Sequence, residues 1–69
     1  MIKYDRLWAT LKKKNISQNK LIRDYGVDTA QLYRLRHNMV IKSITIDNLC
    51  RILDCKVEDI MEYVPDEPE

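Results

Sequence analysis

The chain predicts an all-α fold, a compact bundle of about five short helices. Apolar residues recur at helical spacing in successive segments, residues suited to capping or closing helices sit between those segments, and no stretch reads as a strand. Sixty-nine residues make one domain, near the lower size limit at which a core forms without disulfides or metal.

Tyr4, Leu7, Trp8 and Leu11 share one helical face, with Arg6, Thr10, Lys12 and Lys13 opposite, which predicts a first helix over about 4–14 with Trp8 in the core. Asn15 tolerates the left-handed conformation that ends such a helix. Ile16 then tucks inward, and Ser17 caps a second helix over about 18–25. That helix buries Leu21, Ile22 and part of Tyr25, and leaves Gln18, Asn19, Lys20 and Arg23 outside.

Gly26, the only glycine, suits a sharp turn that needs positive φ or a close backbone approach. Asp28 is the N-cap of a third helix beginning at Thr29, with Gln31 placed to reach back as a capping box. Val27, Leu32 and Leu35 face inward, whereas Ala30, Tyr33, Arg34 and His37 share the outward face. Asn38 ends this helix, and residues 39–44 form a loop containing Lys42.

Thr45 caps a fourth helix with Asp47 in its first turn, and Ile46, Leu49, Cys50 and Leu53 make its apolar face, edged by Ile52. A last short helix over about 57–63 packs Val57, Ile60 and Met61. The expected domain is 1–64, followed by an acidic, proline-containing flexible tail at 65–69.

The net charge of +1 hides a segregation of sign. Residues 1–42 hold ten Lys/Arg against Asp5, Asp24 and Asp28, a net +7, and residues 43–69 hold Arg51 and Lys56 against eight Asp/Glu, a net −6. A basic half is what phosphate neutralisation requires, and repulsion turns the acidic half away from a polyanion. Lys12, Lys13 and Lys14 also suit the negative end of the first helix dipole.

Cys50 and Cys55, five apart, lie about 140° from each other on a helix and cannot bridge or jointly hold a metal. Cys50 reads as core packing and Cys55 as a helix-end residue, and two unpaired cysteines suit a reducing cytosol. No basic leader followed by an apolar run opens the chain, and its longest apolar stretch, 39–41, is far too short to span a bilayer. The expected location is cytoplasmic, with no membrane partner.

Two short helices hinged at Gly26, the second baring a mixed polar face, make the layout of a helix-turn-helix that reads double-stranded DNA. Arg34 is the first candidate for sequence readout, since its fork can donate twice to guanine O6 and N7. Thr29 can bond a base or touch a thymine methyl, Ala30 can offer a methyl contact, and Tyr33 can pack on a sugar or a thymine methyl. Tyr33 also fits a partly buried amphipathic role.

Candidate phosphate contacts are Gln18, Asn19, Arg36, His37, Asn38, Lys42 and Ser43. A single histidine cannot make a multi-histidine metal site, and no glycine-rich phosphate loop, paired-carboxylate pocket or zinc-ligand cluster is visible. The expectation is therefore a non-enzyme without metal, cofactor or small-molecule ligand. The competing reading is a protein-interaction module that uses Met39, Val40, Ile41, Met61 and Tyr63 to bind another protein.

Roughly residues 1–64 resemble a small Cro/cI-type (phage-repressor-type) helix-turn-helix regulator. The resemblance rests on the opening IKYDRLW, the central SQNKLIRDYGVDTAQLYRLR and the closing LCRILDCKVEDIMEYVP. It implies a third helix in the major groove, and repression or activation in the cytoplasm by a homodimer on a palindromic operator. By motif position it implies base contacts from Thr29, Ala30 and Arg34, a phosphate contact from Gln18, and a backbone-contacting loop from His37 to Ser43. The chain departs from the pattern at Ile22, where the family usually has a small residue, and at Ala30 and Tyr33, which replace polar residues of the reading face.

Overall fold

A computed structural model describes residues 1–65; the tail expected at 65–69 lies outside the described residues beyond Pro65. Four helices carry the fold: α1 (Asp5–Lys14), α2 (Gln18–Tyr25), α3 (Thr29–Arg36) and α4 (Ser43–Leu53). Ten apolar side chains make one core. Tyr4, Leu7 and Leu11 come from the α1 segment, Leu21 from α2, Leu32 and Leu35 from α3, Ile46, Leu49 and Leu53 from α4, and Ile60 from the closing segment. Trp8, Ile16, Ile22 and Val27 pack against it partly buried. Among the described residues no helix is long and apolar enough to cross a membrane.

Three helices end in the same way. Asn15, Asn38 and Asp54 all have positive φ (59°, 54° and 51°), and the next residue donates its N–H back five residues: Ile16 to Leu11 O (2.9 Å), Met39 to Arg34 O (2.9 Å) and Cys55 to Cys50 O (3.1 Å). These are Schellman closures, in which a left-handed residue lets the chain satisfy carbonyls that the helix leaves open. The Asn15 and Asn38 stops follow the sequence expectation.

The closing segment differs from that expectation. Instead of a fifth α-helix over 57–63 there is a single 3-10 turn, Val57–Asp59, with Val57 exposed, and then a two-residue strand. That strand, β2 (Glu62–Tyr63), pairs antiparallel with β1 (Ile2–Lys3), Ile2 opposite Tyr63 and Lys3 opposite Glu62. Met1 and Val64 exchange backbone hydrogen bonds just beyond it. The expectation of no strands is thus corrected: two residues are too few to show a period of two, and the pairing joins the far ends of the chain. Thr10 Oγ1 donating to Asp59 O (2.6 Å) and Arg6 bonding both Glu58 O (3.1 Å) and the Glu62 carboxylate (3.2 Å) hold this segment against α1.

The start of α4 also moves. Lys42, not Thr45, is the N-cap residue, so Ser43 and Ile44 are helical rather than loop, and Thr45 and Ile46 donate to Lys42 O. Asp47 therefore lies beyond the first turn and pairs instead with Arg51 four residues on (2.9 Å). Tyr25, expected to be partly buried, is exposed.

Candidate nucleic-acid interface

The turn between α2 and α3 is built from local rules. Ser17 Oγ accepts from Lys20 N–H at 3.0 Å and starts α2; Gly26 ends it at φ +69°. No atom lies within 4 Å of where a Cβ at Gly26 would point, so the glycine is there for its backbone angle and not for lack of space. Asp28 Oδ1 then accepts from Ala30 N–H at 2.9 Å and opens α3. The expected capping box does not form, since the Gln31 side-chain oxygen is buried with no hydrogen-bond partner.

Leu32 and Leu35 fix the rotation of α3 by burial, and Val27 packs partly buried beside them. The opposite face is consequently outside: Thr29, Ala30, Tyr33, Arg34 and His37 are all exposed. Tyr33, at 53% exposure, is not the partly buried residue that one reading allowed. Its ring sits 4.3 Å from that of His37, tilted by 44°. The i, i+4 spacing of two rings carried that signal in the sequence, although it did not single the pair out. Ile22 is accommodated against the core where a small residue was the family's usual choice.

The expected phosphate contacts separate into two groups. Arg36 donates to Gln18 Oε1 at 2.6 Å, so the end of α3 and the start of α2 are tied together, a contact that sequence reasoning did not foresee. Asn38 uses its side-chain oxygen to accept the Tyr4 N–H at 2.9 Å, which locks the turn after α3 to the N-terminal segment. Asn19, His37, Lys42 and Ser43 are exposed, and no side chain caps the N-terminus of α4 at Lys42. Uncapped first-turn amides at the positive end of a helix dipole suit an anion.

Charge follows the same division. Among the described residues the two ion pairs are Arg6 with Glu62 and Arg51 with Asp47; Lys20, Arg23, Arg34, Arg36 and Lys42 belong to neither. Among the described residues, the cations of α2, α3 and the following loop thus stand outside any ion pair, which suits a surface that meets a polyanion.

A family model described as the Cro/C1-type HTH DNA-binding domain matches residues 6–66. No curated protein matches the chain. Among solved structures, the crystal structure of the transcriptional regulator VanUg (Form II) is similar at 25% identity with a TM-score of 0.84, covering 94% of this chain and 87% of that one. The match spans the turn at Gly26, the exposed α3 and the helices that hold them, and the chain belongs to the Cro/C1-type helix-turn-helix DNA-binding family.

Proposed function

We propose that this protein is a sequence-specific double-stranded-DNA-binding regulator of transcription that lays α3 in the major groove, acting in the cytoplasm as a homodimer on a palindromic operator. The observation that carries this reading is the exposed face of α3, where Arg34 stands beside Thr29, Ala30 and Tyr33 with no acidic partner among the described residues. Arg34 reads a guanine, Thr29 and Ala30 meet base edges or methyl groups, and Tyr33 packs on a sugar or methyl. Gln18, Asn19, Arg36, His37, Lys42 and Ser43 grip phosphates on either side, and Asn38 shapes the loop between them. Dimerisation follows from the size of a single reading helix, whose interface of roughly 600–1,000 Å² gives limited affinity alone. No catalytic step is assigned to the chain.

Selection of bound fragments from a random duplex library tests the reading. A palindromic consensus, retained with strong salt dependence, is the expected result. Failure to retain any duplex at low salt overturns it and favours the second reading, a protein-interaction module. That second reading has its own support: Val40 is 89% exposed and Tyr63 67%, with Met39 exposed as well.

A further inference from the structure

The sequence separates Cys50 and Cys55 by treating them as residues of one continuous helix, but α4 ends at Leu53. Asp54 turns the chain back at φ 51°, and the Cys55 N–H bonds to Cys50 O at 3.1 Å. In this closure the residue after the left-handed one characteristically touches the side chain of the residue whose carbonyl it caps. The same two positions at the end of α1 hold Leu11, which is in the core, and Ile16, which packs partly buried against it. At the end of α4 they hold two thiols.

Both thiols are half-buried, and both line a cavity of about 530 Å³ together with Ile41, Ser43 and Tyr4. Cysteines whose Cα atoms lie more than about 7 Å apart cannot be bridged. With the bend at the carbonyl carbon included, the standard bonds and the 3.1 Å hydrogen bond cap the Cα separation at about 7 Å, the outer edge of that limit.

We propose that Cys50 and Cys55 form a redox-modification site, a dithiol that closes reversibly to an intrachain disulfide by exchange with a low-molecular-weight disulfide. Burial raises both thiols, so the attacking species is the minor thiolate fraction of Cys50 and exchange is slow near neutral pH. That thiolate attacks one sulfur of the disulfide and joins it, expelling the other sulfur as a thiolate that takes up a proton. Cys55 then attacks the Cys50 sulfur, forming the ring and releasing the second small thiol. The protein loses two hydrogens and two electrons, and the small disulfide gains them. Because Ile41 and Ser43 line the same cavity, closure alters the packing beneath the loop that leads into α4. The bearing of that change on DNA rests on the function proposed above, whereas ring closure does not, so the two fail separately.

The test is to treat the native full chain with glutathione disulfide in the absence of DNA. The expected product is a monomer lighter by two hydrogen atoms, with both cysteines protected from alkylation and restored by a reducing thiol. Cys55→Ser is expected to stop at Cys50 with one glutathione attached. Overturning results are glutathione left on the wild-type chain, linkage between chains, or thiols that stay free while a reference dithiol oxidises. On closure the amide resonances of Ile41 and Ser43 shift; resonances that stay in place overturn the link to the loop.

Discussion

The Arg36 guanidinium donates to Gln18 Oε1 at 2.6 Å, so the last turn of α3 is held to the first turn of α2 across the whole motif. Both residues are exposed or half-exposed, so the bond adds little to stability, about 0–1 kcal/mol by the range for exposed charged contacts. Its effect lies in geometry: the arginine fixes the glutamine oxygen and leaves the amide N–H₂ as the group able to donate outward. Gln18→Ala is expected to weaken duplex binding while moving the thermal midpoint only slightly. A double-mutant cycle with Arg36→Ala, read in binding, should give a non-zero coupling; strict additivity would mean that the two side chains act independently on DNA.

Arg34 and Lys42 should fail in different ways. Arg34→Ala is expected to relax base preference at one position of a selected duplex by about 1–3 kcal/mol, measured by competition between point-substituted duplexes. Lys42→Ala is expected to weaken all duplexes alike and to reduce the salt slope by about 1. The reverse pattern would exchange their roles.

The turn residue can be tested without DNA. Gly26 has φ +69° and open space around its missing Cβ, so Gly26→Ala meets backbone strain and no clash. The expected loss in denaturant unfolding is about 1–2 kcal/mol, the cost of a left-handed conformation for an L side chain, and Gly26→Asn should lose less.

The ring pair on α3 is similarly accessible. With 4.3 Å between the Tyr33 and His37 centroids, a double-mutant cycle of Tyr33→Ala and His37→Ala read in stability should return a coupling of about 0.5–1.5 kcal/mol, less where solvent competes. A coupling of zero would mean that His37 does not brace the tyrosine.

Burial gives the protein an alkaline limit. It pushes the Tyr4 phenol above its ordinary value, and it pushes the Cys55 thiol up to about 11, with the neighbouring Cys50 and Asp59 adding to the rise; burial also raises Cys50, with Asp47, Asp59 and Glu58 adding to it. Each group binds its proton more tightly folded than unfolded. The corresponding stability is full below the unfolded values, near 9 for the thiols and 10 for the phenol, and is lost as pH rises through the folded ones. Thermal midpoints should therefore fall above about pH 9, and Tyr4→Phe together with Cys50→Ser and Cys55→Ser should flatten that fall.

By itself the sequence determined whatever depends on neighbours along the chain. The helical periods of α1 to α3, the Ser17 and Asp28 caps, the left-handed stops at Asn15, Gly26 and Asn38, and the outward face of Ala30, Tyr33, Arg34 and His37 all follow from contacts within a few residues. The tertiary structure decided what depends on residues far apart in the chain or on where a helix stops. The pairing of Ile2 with Tyr63, the Arg36 bond to Gln18 and the use of the Asn38 oxygen by Tyr4 join segments whose spacing no local pattern encodes. The earlier start of α4 at Ser43 and the turn at Asp54 that brings Cys50 and Cys55 together depend on where burial of Ile46, Leu49 and Leu53 lets the helix begin and end, which is a property of the packed core.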